Sequence, residues 1–287
     1  MKINRNKWTT VLGWCSLLLA IGFFGLQIGY LVMHRFFQVE YIDNQLFFII
    51  NCLCFLGITV SLLLLLVLTR KMIWILSGAA ILFFIVNGVL LVENSQETNN
   101  ITSISPDWKH VFVVKENPAT GAAIYYRSYY GIFCRPKQVL PYRANDRYKL
   151  KWLANDSAAL TYTDANDKIQ QFIGTYGDRG GGRSYYYVGA EIHGQWQGGG
   201  ALVISNTKGI SVTEAGTTEL FEWDSIVQFG TLAVVLKRDD QAVWTLSLNK
   251  DFEIHSDASE PATGTIRLYR ATMENNEPLT LRNEPLN

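Results

Sequence analysis

Three long runs of apolar residues occupy the first third of the chain, and none of them contains a formally charged side chain. They cover residues 11–33, 46–68 and 72–92. Each run is longer than the ~20 residues that an α-helix needs to cross the hydrocarbon core of a bilayer, whereas signal peptides and buried core helices have shorter apolar stretches. The pattern therefore predicts a three-helix transmembrane domain over residues 1–93.

Beyond residue 93 the pattern changes to short runs of β-branched and aromatic residues separated by turn residues. Examples are HVFVVKE at residues 110–116, SAALTYT at 157–163 and AVWTLSL at 242–248. Such runs with short turns between them are typical of antiparallel hairpins. We expect a mostly antiparallel β domain over residues 108–272, either sandwich-like or irregular.

Two polar segments flank this predicted β domain. The sequence NSQETNNITSISP, within residues 94–107, has no apolar periodicity, which predicts a linker. Residues 273–287 contain NEPL twice, and their proline, asparagine and glutamate content predicts an extended, flexible tail. The alternative for this tail is a short peptide that a partner recognises.

The charged residues around the apolar runs predict the orientation of the helices, because cytoplasmic flanks are enriched in lysine and arginine. The segment before the first run and the connection before the third run carry only basic charges, whereas acidic charges predominate after the first and third runs. The basic residues are Lys2, Arg5, Lys7, Arg70 and Lys71, and the acidic ones are Glu40, Asp43, Glu93 and Glu97. We expect a multi-pass plasma-membrane protein with its N-terminus inside and its C-terminal domain outside.

Small and polar residues within the apolar runs bear on helix packing and on transport. Gly22, Gly25 and Gly29 recur on nearly one side of the first helix, and the last two have the GxxxG spacing that lets helix backbones approach. We expect these glycines to mark helix packing. No Asp, Glu, Lys, Arg or His lies inside any run, whereas ion pathways usually contain such a residue. This absence argues against a transporter or pump.

Composition narrows the classes of partner. The chain carries 25 basic and 25 acidic residues, so no net field attracts nucleic acid, and we expect no nucleic-acid partner. Three of the four cysteines fall within the apolar runs, which leaves Cys134 alone in the β region. An exported domain without a disulfide favours a Gram-positive bacterial envelope. The expected partners are the lipid bilayer and another membrane or envelope protein.

Motifs for catalysis and metal binding are weak. The acidic turn at residues 164–167 lacks the spacing of a calcium loop and predicts an ordinary hairpin turn. Glu191 and His193 would share one face of a strand, and Cys134 beside Arg135 is either an activated thiol or a structural cysteine, of which we favour the second. No nucleophile motif or zinc spacing occurs. We expect no enzyme activity, no metal site and no cofactor.

Aromatic residues are the most distinctive candidates for a contact surface. The stretch GDRGGGRSYYYVG at residues 177–189 lacks the lysine and the following helix of a phosphate loop, which favours a glycine hinge flanked by arginines. Adjacent strand residues point to opposite faces, so neighbouring tyrosines cannot all be buried, although tyrosine also favours strands in general. The candidate partner or ligand surface comprises Arg179, Arg183, Tyr185, Tyr186, Tyr187, Trp196, Tyr129 and Tyr130.

These features favour a non-enzymatic integral membrane accessory or sensory protein whose outer β domain contacts a partner protein of the cell envelope. The first alternative is a membrane protein that binds an envelope polymer or carbohydrate, because exposed aromatic rings can stack on sugars as well as on protein surfaces. A third hypothesis, an immunity or transporter-accessory protein, rests on the architecture alone.

Overall fold

The computed structural model describes residues 7–177, 187–254 and 262–284. Three long apolar helices come first, and a mostly antiparallel β region follows, as the hydrophobic pattern predicts. The helices are α1 (Lys7–Phe37), α2 (Gln45–Leu65), α3 (Arg70–Glu97) and the single turn α4 (Val188–Glu191). The strands are β1 (Glu40–Tyr41), β2 (Asn99–Ile104), β3 (Val111–Asn117), β4 (Ala122–Tyr129), β5 (Phe133–Val139), β6 (Ala144–Ala154), β7 (Ser157–Asp164), β8 (Ile169–Thr175), β9 (Gly194–Gly198), β10 (Ala201–Asn206), β11 (Gly209–Glu214), β12 (Thr217–Glu222), β13 (Ile226–Phe229), β14 (Ala233–Arg238), β15 (Gln241–Leu248), β16 (Thr265–Arg270) and β17 (Leu279–Glu284).

The chain divides into two compact units. The first contains α1, α2 and α3 together with Val113–Ala119 and Tyr126–Gln138. The second contains Ser103–Phe112, Thr120–Tyr125 and the described chain from Val139 onward. By length and composition, each of the three long helices of the first unit is a candidate membrane span.

Small residues bring α1 and α2 close together. A side-chain carbon added at Gly13 would lie 2.8 Å from the side chain of Leu65. One added at Gly57 would lie 3.0 Å from the Cβ of Ala20. Close approach of backbones is the usual role of glycine between apolar helices, so these two glycines set the distance between α1 and α2.

Polar side chains join the three helices where the surrounding sequence is apolar. Gln27 on α1 donates to Asn51 Oδ1 at 2.8 Å and to Phe47 O at 2.7 Å on α2. Asn87 on α3 donates to Phe48 O on α2 at 3.0 Å. Because an unpaired amide is costly in apolar surroundings, these contacts determine which helix faces meet.

A five-stranded sheet in the order β1-β5-β4-β3-β2 contains the short strand that connects α1 with α2. In this strand, Tyr41 pairs with Phe133 and Glu40 pairs with Cys134, both on β5. Strand residues alternate between the two faces of a sheet. Tyr41 and Phe133 therefore share one face, and Glu40 and Cys134 share the other.

The predicted linker at residues 94–107 is wrong for most of its length. Helix α3 continues to Glu97, and Asn99–Ile104 form β2 at one edge of the five-stranded sheet. An edge strand needs main-chain hydrogen bonds on one side only and tolerates polar side chains. A polar sequence without a clear apolar alternation can therefore form a strand at this position.

A buried lysine on β3 connects the sheet to the segment between α1 and α2. Lys115 is 5% exposed, and its Nζ donates to Glu40 Oε2 at 2.6 Å, to Asn44 Oδ1 at 2.6 Å and to Tyr41 O at 2.7 Å. The Tyr126 hydroxyl on β4 donates to Glu40 Oε1 at 3.1 Å. All three donors of the ammonium group are thus used. We call these residues the Lys115 cluster.

The largest sheet lies in the second unit and has nine strands in the order β12-β11-β10-β9-β17-β16-β15-β14-β13. It curls into a near-barrel, with contacts between β12 and β14. Apolar side chains fill its interior because alternate positions of each strand point to that side. They include Val188, Ile192, Trp196, Val203, Ile210, Leu236, Leu246, Ile266, Leu268 and Leu281.

A three-stranded sheet of the same unit, in the order β6-β7-β8, packs against β13, β14 and β15 through β8. Every position of β7 is buried, so both faces of this central strand are covered. The shared apolar cluster consists of Leu153, Ala159, Ile173, Ala233, Val235, Ala242, Tyr269 and Ala271.

The flexible-tail prediction for residues 273–287 is wrong for Leu279–Glu284. These residues form β17, which pairs with β16 on one side and with β9 on the other. Leu281 is fully buried in the near-barrel, and Asn283 donates to Ala262 O at 2.7 Å. Hydrogen bonds from the preceding strand β16 and from the distant strand β9 hold this segment, and composition alone does not indicate either pairing.

The acidic sequence at residues 164–167 forms an ordinary hairpin turn between β7 and β8, as predicted. Asp164 Oδ1 accepts from the backbone N–H of Asn166 at 2.8 Å and of Lys168 at 3.0 Å, and Oδ2 accepts from Gln170 Nε2 at 3.1 Å. Burial acts to raise the pKa of Asp164, but the hydrogen bonds from Lys168, Asn166 and Gln170 to the carboxylate lower the pKa overall.

The substitution Glu40→Gln tests the Lys115 cluster. We expect it to lower the free energy of unfolding by about 2–3 kcal/mol, because a buried ammonium group loses its charged acceptor. Chemical unfolding of the detergent-solubilised full chain measures this change. The control Glu277→Gln removes an exposed partner of Lys151 and should change stability by less than about 1 kcal/mol. Equal effects of the two substitutions would contradict the role of the cluster.

Asp164 makes stability depend on pH. Its folded-state pKa lies below the ordinary value of 3.8, so its contribution is complete above that pH and is lost as the pH falls through the folded-state value. We expect Asp164→Asn to cost about 1–3 kcal/mol at neutral pH and progressively less in acid. Asp167→Asn, in the exposed part of the same turn, is the control. A difference from wild type that stays constant with pH would refute this account.

Candidate functional site

An apolar pocket of about 630 Å³ lies in the first unit, between the last turns of α1 and the tip of the hairpin formed by β4 and β5. Its volume is within the range of about 300–1,000 Å³ that is usual for small-molecule sites. The lining consists of Gly25, Leu26, Gly29, Tyr30, Met33, Phe37, Val39, Tyr129, Tyr130, Phe133, Cys134 and Arg135. We call this site the hairpin pocket.

One face of α1 forms a wall of the hairpin pocket, because the residues on this face recur at helical spacing. Gly25, Gly29 and Met33 follow one another at intervals of four residues, so they lie on one face of the helix. A side-chain carbon added at Gly25 or Gly29 would meet no atom within 4 Å, which leaves the helix backbone open to the pocket. Gly13 and Gln27, which contact α2, lie on a different side of α1.

Tyr30 and Phe133 form the floor of the hairpin pocket, and the buried ring of Tyr41 supports both of them. The ring centroids of Tyr30 on α1 and Tyr41 on β1 are 4.2 Å apart, and Phe133 on β5 lies 5.2 Å from Tyr41 and 6.5 Å from Tyr30. The Tyr41 hydroxyl donates to Gln27 Oε1 at 3.1 Å. Burial raises the pKa of Tyr41 to about 12, so this hydroxyl keeps its proton at every physiological pH.

Three basic side chains lie on one face of the β4–β5 hairpin. Arg135 lines the pocket, and Lys137 follows it two residues later on the same face of β5. Burial and the neighbouring charge of Arg127 on β4 lower the pKa of Lys137. Within the described part of the chain, none of the three makes a hydrogen bond or an ion pair. The hairpin therefore presents uncompensated positive charge beside an apolar pocket.

The predicted contact residues Tyr129 and Tyr130 lie at the tip of this hairpin. Tyr130 is 95% exposed and has a φ of 50°, a left-handed conformation that is unusual for a residue other than glycine. Gly131 follows with a φ of 79°. The tight turn thus presents two tyrosine rings at the mouth of the pocket.

The other predicted contact residues have different outcomes. Tyr187 is exposed just before α4, whereas Arg179, Arg183, Tyr185 and Tyr186 lie outside the described residues. The prediction of a surface role for Trp196 is wrong. This residue has no exposed surface, and its Nε1 donates to Ile192 O at 2.8 Å. Trp196 points into the apolar interior of the near-barrel, whereas the adjacent Gln197 on the other face of β9 is exposed, and a local sequence pattern cannot reveal which face becomes the interior.

The predicted packing role of Gly22, Gly25 and Gly29 does not apply within this chain. Side-chain carbons added at these positions would meet no atom within 4 Å, in contrast to Gly13 and Gly57. The three glycines instead lie on an open face of α1, and two of them line the hairpin pocket. Packing against a helix of another protein stays a prediction.

Cys134 is a structural residue. It has no exposed surface, and its Sγ donates to Tyr41 O at 3.4 Å. Burial raises the pKa of the Cys134 thiol to about 12, partly opposed by the charge of Lys115 and reinforced by that of Glu40. The neighbouring Arg135 does not activate this thiol, because the side chains of Cys134 and Arg135 point to opposite faces of β5.

A polar cleft of about 770 Å³ lies in the second unit. Trp108 lies between the lining residues Asp107 and Lys109 in the chain. It is 80% exposed and has a φ of 62°. A hydrogen bond from Ser105 lowers the pKa of Asp107, although partial desolvation opposes this effect. The cleft is lined by Asp107, Lys109, His110, Ala154, Asn155, Asp156, Asn249, Lys250, Asp251, Thr265, Arg267 and Thr280.

Side chains of the cleft hold one another in place. Arg267 Nε donates to Asn249 Oδ1 at 3.0 Å, Asn249 Nδ2 donates to Thr265 Oγ1 at 2.8 Å, and Thr265 donates to Asp251 Oδ1 at 2.7 Å. The ring of His110 stacks on Tyr176 with centroids 4.5 Å apart. This arrangement provides fixed donors and acceptors for a polar ligand.

Groups suited to metal binding are not found in residues 7–177, 187–254 and 262–284, where no three His, Cys, Asp or Glu side chains come together. Glu191 and His193 do not share a strand face, because Glu191 ends α4 and His193 lies between α4 and β9. The strand geometry from which the acid–base pair was predicted is therefore wrong.

Sequence reasoning missed Lys115, Glu40 and Tyr30, which build the floor of the hairpin pocket and its support. Only Lys115 had a local signal, since a lysine inside the apolar run HVFVVKE needs a buried acceptor. Its partner Glu40 is 75 residues away in the chain. No protein-family model, curated protein or solved structure matches this chain.

Proposed function

We propose that this chain is a non-enzymatic integral membrane accessory or sensory protein whose outer β region contacts a partner protein of the cell envelope. The single observation that carries this proposal is the exposed pair Tyr129 and Tyr130 on a tight turn at the mouth of the hairpin pocket. Exposed tyrosines on a constrained turn suit protein interfaces, since they add large contact area with little loss of side-chain entropy.

The apolar helices support the membrane part of the proposal. Many large apolar side chains of α1, α2 and α3 are exposed in the isolated chain, as a bilayer-facing surface requires. Basic residues near the start of α1 and at the start of α3 favour an N-terminus inside the plasma membrane and a β region outside it. The buried free thiol of Cys134 is compatible with a Gram-positive envelope, where exported domains need no disulfide.

A second candidate function is the binding of an envelope polymer or carbohydrate, and the polar cleft of the second unit favours it. The cleft offers hydrogen-bonding side chains such as Asn249 and Thr265, and the exposed ring of Trp108 belongs to a turn that contributes to its wall. Sugars are commonly held by such a combination of polar groups and an aromatic face.

Cysteine labelling in intact cells tests the proposed orientation. We expect a membrane-impermeant thiol reagent to label Lys208→Cys, an exposed position after β10, and not Lys71→Cys near the start of α3. Permeabilised cells should show labelling at both positions. The unsubstituted chain is the control for its four native cysteines. Labelling of Lys71→Cys alone in intact cells would reverse the orientation.

Site-specific crosslinking tests the partner. A photoreactive amino acid at position 130 should yield one adduct of defined mass in native membranes, and Tyr129→Ala should reduce its yield at least about tenfold, as loss of an interface anchor implies. The same photoreactive group at position 108 is the matched control, since Trp108 is also an exposed aromatic residue in a left-handed turn.

The two candidate functions predict opposite results at these positions. If the protein binds an envelope polymer, Trp108→Asn should abolish retention of the full chain on isolated cell-wall material, and soluble glycans should compete. Asparagine tolerates the left-handed conformation at this position, so the turn should remain intact. Polymer retention that depends on Trp108, without any adduct at position 130, would replace the partner-protein proposal.

A further inference from the structure

We propose that the hairpin pocket is a binding site for an anionic membrane lipid, with an acyl chain along the open face of α1 and a phosphate group at Arg135. This inference rests on the proposed membrane embedding but is independent of the partner protein.

The apolar part of the pocket has the dimensions of a site for an acyl chain. Its wall on α1 extends from Gly25 to Phe37, which is about 18 Å at the rise of an α-helix. This length is comparable with half of the ~30 Å hydrocarbon core. Because glycines leave the helix backbone uncovered, a chain can lie against α1 without displacing a side chain.

The floor of the pocket gives such a chain a fixed surface. The lining rings of Tyr30 and Phe133 both pack against the buried ring of Tyr41, so they are held before any ligand arrives. Tyr41 is buried and is not part of the lining; its ring supports Tyr30 and Phe133, and its hydroxyl donates to Gln27. A preformed apolar surface reduces the entropy lost on binding.

Charge at one end of the pocket indicates the kind of head group. Arg135 is part of the lining, and Lys137 and Arg127 lie further along the same face of the hairpin. No acidic side chain pairs with any of these three within the described residues. Glu40 pairs with Cys134, the residue next to Arg135. It lies on the opposite face of the sheet, and its carboxylate accepts a hydrogen bond from Lys115.

Arginine is well suited to a phosphate because its planar donors can form two parallel hydrogen bonds to the oxygens. A zwitterionic head group would bring its own cation close to the three basic side chains and lose part of this attraction. The combination of an apolar pocket with unpaired cations at one end therefore favours an anionic phospholipid over a neutral one.

Native mass spectrometry of the detergent-solubilised full chain tests the proposal. The probes are dioleoylphosphatidylglycerol and dioleoylphosphatidylcholine, which have the same acyl chains and differ in head-group charge. We expect the anionic lipid to bind at least about tenfold more tightly, as one charge-assisted contact would give. Arg135→Gln should abolish this preference, and Arg135→Lys should keep most of it. Equal binding of both lipids to the wild-type chain would overturn the proposal.

A second pair of variants tests the apolar part. Gly29→Phe fills the pocket and should weaken binding of both lipids by about tenfold, as loss of a buried chain segment implies. Gly78→Phe is the matched control on α3, where an added carbon also meets no atom within 4 Å. If Gly29→Phe removes a co-purifying polypeptide and leaves lipid binding unchanged, the pocket receives a protein helix and the lipid assignment is wrong.

Two further measurements separate the possible failures. Glycerol 3-phosphate should not compete with the lipid, and full competition at equal concentration would assign the site to a free phosphate compound instead. Resistance of the protein to alkaline carbonate extraction tests membrane embedding by itself. If Gly29→Phe lowers the thermal unfolding temperature, the lipid proposal is tested by the Arg135 variants alone. Arg135 is exposed and makes no contact that the fold needs.

Discussion

The buried ion pair between Lys115 and Glu40 is the interaction on which the first unit depends. Removing an ammonium group from water is costly, and here a carboxylate, a side-chain amide oxygen and a main-chain carbonyl replace the lost hydration. The two charged residues come from chain segments 75 residues apart. The pair therefore fixes the two-residue strand β1 against the sheet, although β1 has too few main-chain hydrogen bonds to hold its place alone.

Strand alternation turns this fixed position into two different environments. On one face, Glu40 belongs to the Lys115 cluster, and beside it burial keeps the Cys134 thiol protonated. On the other face, the buried ring of Tyr41 packs against Tyr30 and Phe133, which form the floor of the hairpin pocket. The same pairing thus provides both the polar support and the apolar site, and a change of register by one residue would exchange them.

Sequence reasoning succeeded where the determinant is local. Apolar runs long enough for a helix to span a bilayer predicted the three helices. Turn residues between β-branched runs predicted hairpins, such as the one that Asp164 stabilises. It failed for Asn99–Ile104, a polar edge strand that pairs with the following strand β3, and for Leu279–Glu284, which pairs on one side with the distant strand β9. It also failed for Trp196, since the curling of the nine-stranded sheet decides which face of β9 becomes the buried interior.

The candidate site shows the same division. Gly25, Gly29, Tyr129 and Tyr130 are distinctive in the sequence, but local spacing assigned the glycines to helix packing and the tyrosines to a general contact surface. By itself, the sequence determined the helical and β-rich parts of the chain and the positions of its turns, since these follow from periodicity over a few residues. The tertiary structure alone decided that these four residues share one pocket with Arg135, because their proximity depends on contacts between distant segments that no local pattern encodes.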